Sequence, residues 1–98
     1  MQHDDFEWDD EKAKANHEKH KVSFDTARLA FKDPFACDWT DDRENYGEAR
    51  NCLLGAVDRR ILFVAYAQRN SRIRLISARG AEPYENRKYH EENSDEDR

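Results

Sequence analysis

Three closely spaced β-type runs constrain this chain more than any other feature. Arg50–Val57, Ile61–Tyr66 and Arg72–Arg79 are rich in aliphatic, β-branched and aromatic residues, the types that suit a pleated, half-buried surface. Only Asp58-Arg59-Arg60 and Gln68–Ser71 separate them, and both stretches read as turns. Connections this short join antiparallel neighbours, so the second half of the chain predicts a meander. At 98 residues there is room for one domain around that sheet and no more.

The first half reads as helices that must cover the sheet. Phe6-Glu7-Trp8 alternates apolar and acidic residues, as a short edge strand does. Asp9 is a plausible N-cap, with Asp10 and Glu11 in the first turn, where the helix dipole favours acids. That helix is expected to run to about His20. Its apolar content is only Ala13 and Ala15, and its strongest stripe at helical spacing is polar: Lys12, Asn16, Lys19 and His20. Val22 leads into a second helix capped by Ser23, with Phe24, Ala27, Ala30 and Phe31 on one face, and Asp33-Pro34 ends it. Phe35–Trp39 allows a further strand, and Thr40–Gly47 reads as a polar loop. Gly80 breaks the third run, and Pro83 suits the first turn of a last helix in which Tyr84, Arg87 and Lys88 lie about a turn apart. The expected class is α+β, in the order β-α-α-β-β-β-α, with a twisted antiparallel sheet packed on two N-terminal helices. Residues 1–90 form the domain, and 91–98 form an acidic tail expected to fray.

Charge is distributed unevenly. The formal net charge is −5, and 40% of residues are charged. Residues 4 to 11 carry Asp4, Asp5, Glu7, Asp9, Asp10 and Glu11 with no cation, and the tail is again acidic. Residues 50 to 80 carry Arg50, Arg59, Arg60, Arg69, Arg72, Arg74 and Arg79 against Asp58 alone. The negative average thus hides a basic middle, which can favour a polyanion locally. Cys37 and Cys52 form no C-x-x-C pair and are expected as free thiols in a reducing cytosol. The acidic start is unlike a signal peptide, and no apolar run approaches the ~18 residues of a membrane span.

Strand alternation puts Arg72, Arg74, Ile76 and Ala78 on one face of the third run and Ile73, Leu75, Ser77 and Arg79 on the other. Arg50 and Arg74, with Arg72 as a further candidate, can then converge on one face of neighbouring strands, and Arg79, at a strand end, can turn either way. Converged guanidinium groups favour phosphates, which they bind bidentately. The same arginines can instead pair with the acids of the chain. His20 is placed to move protons near neutrality, or to sit solvated at a helix end. His17 and His20 have an i, i+3 spacing that a metal can use, without a matching carboxylate or thiol cluster. Glu48, two residues before Arg50, can act as a base, orient Arg50, or form a surface ion pair.

Four blocks in order, covering Phe6 to Tyr89, resemble the BrnT toxins, the RNA-cleaving half of a bacterial type II toxin–antitoxin pair. Phe6-Glu7-Trp8-Asp9-Asp10-Glu11-Lys12 with Asn16, Lys19-His20, Val22-Ser23-Phe24, Phe31 and Asp33-Pro34 is similar to the first block. Gly47-Glu48-x-Arg50 with Gly55 is similar to the second, Arg74–Arg79 with Ala81 to the third, and Glu85-x-Arg87-x-Tyr89 to the fourth. Lys21 departs from the pattern, because a small residue, usually glycine, is expected there; Pro83 and the acidic tail are also local to this chain.

The resemblance implies a RelE-like fold and a cytoplasmic endoribonuclease that needs no ribosome and arrests translation. It implies a BrnA-type ribbon-helix-helix antitoxin as partner in a 2:2 heterotetramer. That complex contacts operator DNA only through the antitoxin, and no membrane is involved. Cleavage would proceed by 2′-OH attack without a cofactor or metal. Arg50, Arg74 and Arg79 are then expected to bind the phosphate and stabilise the transition state, and His20 and Glu48 to transfer protons. Lys12 and Lys19 would steer the backbone, Ser77 would contact RNA, and Tyr89 or Trp8 would stack bases or lie in the core. A non-catalytic module docking an antitoxin or nucleic acid through the same basic face is the alternative.

Overall fold

The computed structural model describes residues 2–3, 5–41 and 49–93. The polar loop after Asp41, including Glu48, and the last five residues of the tail lie outside the described residues. Element order is β1 (Gln2–His3), β2 (Phe6–Glu7), α1 (Asp10–His20), α2 (Phe24–Ala27), a 3-10 turn (Arg28–Lys32), β3 (Cys37–Asp41), β4 (Arg50–Val57), β5 (Arg60–Arg69), β6 (Arg72–Gly80) and α3 (Pro83–Glu92). The strands form one sheet in the order β1-β2-β6-β5-β4-β3. The α+β class and the β4-β5-β6 meander match expectation. Two-residue turns join the meander; Asp58 and Arg59 both take positive φ, as does Asn70.

Four details differ from the sequence reading. The strand at Phe6 is not an edge: β1 covers it on one side, and on the other it pairs parallel to β6, with Glu7 opposite Arg74. The strand left optional near residue 37 is present as β3 and forms the other edge. The second helix is one α-turn followed by a 3-10 turn, because Gly55 lets the chain come down onto β4; a Cβ there would overlap the Ala30 carbonyl. The last helix runs to Glu92, two residues past the expected end of the domain at residue 90.

The local signals for the helices hold. Asp9 caps α1, its carboxylate accepting from the Glu11 and Lys12 backbone N–H groups at 2.8 and 3.2 Å. Those N–H groups hold the Asp9 carboxyl below its ordinary value. Ser23 caps α2 through the Thr26 N–H. Lys21 closes α1 in the left-handed conformation, φ 62°. That conformation explains why a glycine is expected there.

The core lies between the sheet and the α1–α2 layer. Leu53, Leu62, Val64, Tyr66, Leu75 and Ala78 meet Trp8, Val22, Phe24, Ala27 and Ala30. Edge-to-face rings tie the layers together: Trp8 to Phe24 at 5.9 Å and Phe31 to Tyr66 at 5.0 Å. The polar stripe of α1 has a structural cause. β2 covers only the first part of the β6 edge, so the Ala78 N–H and C=O have no strand partner there. The buried Asn16 amide supplies one, accepting from Ala78 N–H at 3.1 Å and donating to Ala78 C=O at 2.9 Å. A side-chain amide thus extends the sheet where the strand stops.

Candidate functional site

The outer face of the sheet, away from α1 and α2, is set by an irregularity in β6. Pairing with β5 runs from Arg69↔Arg72 to Tyr66↔Leu75, then resumes at Ala65↔Ser77, so Ile76 is an extra residue. A bulge of this kind breaks the alternation of faces. It corrects the expected assignment: Ala78 joins Leu75 in the core, and Ser77 and Arg79 join Arg72 and Arg74 on the outer face. Buried Leu75 and Ala78, three apart rather than two, carry the same signature.

Cross-strand register then arranges the outer face in rows. The first reads Glu7, Arg74, Ala67, Arg50, Asp41 from β2 to β3. Arg50 enters it by continuing the β4–β5 ladder one residue beyond Asn51↔Tyr66. The second reads Ser77, Ala65, Cys52, Trp39, and the third Arg79, Phe63, Leu54, Cys37. Arg74 and Arg50 stand two strands apart, about 10 Å between backbones at ~4.8 Å per strand. Guanidinium side chains span half that gap, so both can reach one tetrahedral anion held between them; Ala67, in the middle of the row, is itself buried at 1% exposure. Each arginine has an acid on its outer flank. Glu7 accepts from Arg74 at 3.3 Å, both side chains being partly buried, and Asp41 is the register partner of Arg50. Glu7 thus orients the Arg74 guanidinium through one charge-assisted hydrogen bond.

Arg79 has a different environment. It donates to both Glu85 carboxylate oxygens, at 2.9 and 3.0 Å, and to the Gly80 carbonyl at 3.1 Å, and it lies 4.3 Å over the Phe63 ring. Glu85 also accepts from the Glu82 N–H at 2.8 Å. Burial pushes the Glu85 carboxyl upward, but the Arg79 and Glu82 hydrogen bonds outweigh it and leave it below its ordinary value. The Glu85 hydrogen bond raises Arg79. This pair fastens α3 over the third row.

The remaining expected residues are placed as follows. Lys12, Lys19 and His20 share the polar stripe of α1 whose centre, Asn16, meets the β6 edge; the two lysines are exposed and His20 is half-buried. Lys12 and Lys19 flank Asn16 on one side of the helix, and His20 lies with Ala13 on the other. Tyr89 and Trp8 are buried, at 8% and 7% exposure. The Tyr89 hydroxyl donates to Asp33, and Trp8 packs on Phe24 within the core cluster. Burial and the Asp33 bond push the Tyr89 hydroxyl up to about 12. Among the described residues no group of three or more His, Cys, Asp or Glu gathers as a metal centre requires.

Two groups escaped sequence reasoning. Glu7 meets Arg74 only through a parallel pairing across most of the chain. Trp39, Phe63 and Tyr84 border a groove of about 440 Å³ between the outer face and α3. The exposed Tyr84, next to Pro83 in a charged segment, is the one part of it that composition signals.

Residues 8–85 match the model of a family described as the ribonuclease toxin BrnT of type II toxin–antitoxin systems. The chain belongs to the BrnT family. BrnT membership makes it a type II toxin of ribonuclease class, with RNA as substrate class and an antitoxin as partner. No curated protein matches it. The BrnT match takes in α1, the whole meander and the start of α3 through Glu85, and thus both the Arg74–Ala67–Arg50 row and the Arg79–Glu85 pair. No helix among the described residues is long and apolar enough to cross a membrane.

Proposed function

We propose that this chain is a metal-independent, ribosome-independent endoribonuclease that arrests translation, and that the scissile phosphate sits between Arg50 and Arg74. The observation that carries the reading is the row Arg74–Ala67–Arg50, two arginines flanking a buried alanine on the sheet face away from α1 and α2. The 2′-OH attacks the adjacent phosphorus, its proton leaves to a base, and the 5′-oxygen departs after receiving a proton. The products are a 2′,3′-cyclic phosphate and a 5′-hydroxyl. Arg50 and Arg74 neutralise the charge that develops on the phosphorane, worth about 3 kcal/mol per well-aimed donor. Arg79 adds positive field from the third row, and Ser77 offers a hydroxyl beside Arg74. Glu48, two residues before Arg50 in the sequence, is the proton-transfer residue of this reading, and Lys12 and Lys19 guide the flanking backbone; His20, beside Ala13 on the core side of α1, lies away from this row. A RelE-like fold and a BrnA-type ribbon-helix-helix antitoxin, bound two to two and carrying the operator-binding function, complete the reading.

The test is incubation of purified protein with ribosome-free RNA in EDTA, followed by analysis of the new ends. Cleavage leaving 2′,3′-cyclic phosphates is expected. Cleavage that stops in EDTA, or that leaves 3′-hydroxyls, contradicts the mechanism.

A further inference from the structure

We infer that the groove between β3 and α3 is a nucleobase-binding subsite, which seats a base of the RNA next to the cleaved phosphate by stacking. The inference rests on the ribonuclease reading for its ligand and adds Trp39, Tyr84 and Lys88, which that reading does not use, to Arg79, which it does. The groove is bordered by planar faces: the Trp39 indole, the Tyr84 phenol and the Arg79 guanidinium. Tyr84 is 60% exposed, so its ring is accessible to a ligand in the groove.

Arg79 is already built as a platform. Glu85 fixes its fork edge-on, and Phe63 backs one face at 4.3 Å. Its bidentate grip prevents it from folding away when a base arrives, and guanidinium planes stack on bases as aromatic rings do. Trp39 stands 6.1 Å from Phe63. Its face is covered by the Lys88 ammonium, 5.0 Å from the ring centre. Lys88 also forms an exposed, loose pair with Glu92 at 3.7 Å. A base can lift it at little cost, and the freed ammonium then meets the RNA backbone.

Position favours RNA as the occupant. Trp39 lies in the row next to the Arg50–Arg74 row and Arg79 in the row after, about 7 and 14 Å along the strands at ~3.4 Å per residue. A base attached beside a phosphate at the first row falls on these faces. Stacking tolerates every base, so the subsite holds register on the strand more than it reads sequence.

The probe is a hexanucleotide of mixed sequence with every 2′-OH methylated, which binds without being cut, beside an abasic chain of the same length. Intrinsic tryptophan fluorescence reports it, because Trp39 is partly exposed whereas Trp8 is buried. Quenching by the hexanucleotide is expected, to be lost in Trp39→Phe and absent with the abasic chain. Tyr84→Ala should weaken binding about 5- to 150-fold, the range of one stacked base. RNA cleavage by the parent protein with equal binding of both probes overturns the subsite and leaves the ribonuclease reading intact. Quenching without any RNA cleavage supports the subsite and overturns the ribonuclease reading. Quenching by an acidic peptide but not by the hexanucleotide overturns the subsite in favour of protein docking.

Discussion

Arg79→Ala should destabilise the protein far more than an arginine on an open sheet face normally does. The Glu85 side chain is 4% exposed and takes two hydrogen bonds from Arg79 besides the one from the Glu82 N–H. Removing the arginine leaves a buried carboxylate without its cation, a change that costs about 3–5 kcal/mol in fully buried pairs. Arg79 is itself 29% exposed, so solvent screens part of this and about 3 kcal/mol is the better figure. Glu85→Ala should cost less, about 1–2 kcal/mol, because the released guanidinium can reach water. The double variant should then be more stable than the sum of the two losses by roughly 1–2 kcal/mol. Urea unfolding of the four proteins at neutral pH gives the cycle directly. At ~4–8 °C per kcal/mol for a domain of this size, Arg79→Ala should also lower Tm by roughly 12–24 °C. Additive losses, or a loss under about 1 kcal/mol for Arg79→Ala, would refute the claim that this pair fastens α3 to the sheet. The result also bears on function, since any activity lost through α3 should return when assays are run well below the variant's Tm.

Other consequences follow from single contacts. Lys21→Gly should stabilise the protein by about 1 kcal/mol, since lysine pays the left-handed penalty at φ 62°; a lower Tm would show that its Nζ bond to the Glu18 carbonyl matters more. Asp33→Ala should cost roughly 2–4 kcal/mol in urea unfolding, because the carboxylate joins the Phe35 and Ala56 N–H groups and the Tyr89 hydroxyl. Glu85 and Asp33 both titrate below their ordinary values of 4.5 and 3.8, Glu85 through Arg79 and Asp33 through Tyr89, each against an opposing burial effect. Their stabilisation is therefore complete above about pH 4.5 and lost as the pH falls through the lowered values. Acid unfolding should lose part of its steepness in Glu85→Gln, and an unchanged profile would contradict the assignment.

Much of the fold is legible in local chemistry. Asp9 and Ser23 cap where short polar residues precede periodic segments, Pro83 opens α3, and three β-type runs with tight turns make the meander. What sequence hides is long-range. The bulge at Ile76 reverses the faces of β6, and strict alternation therefore separates Arg74 from Arg79 although they share a surface. Asn16 looks like a solvated helix residue until the uncovered edge of β6 is known. Glu7 and Arg74 are brought together by a parallel pairing that no local pattern encodes. Trp8 and Tyr89 show the reverse problem, because an aromatic residue beside charges reads equally as core or as a stacking platform. Trp39 and Tyr84, on a strand edge and a helix start, are the rings that border the groove, Tyr84 exposed and Trp39 under the Lys88 ammonium.

The account rests on Arg50 and Arg74 acting together on one phosphate across Ala67. The most direct measurement is the RNA cleavage rate of Arg74→Ala, Arg50→Ala and Arg74→Lys in EDTA, each shown by circular dichroism to be folded. Each alanine variant should lose about 100-fold or more, as expected for a donor worth ~3 kcal/mol in the transition state. Arg74→Lys should recover little of the rate, because an ammonium keeps the charge and loses the fork. Folded alanine variants that cleave at the parent's rate would contradict the account.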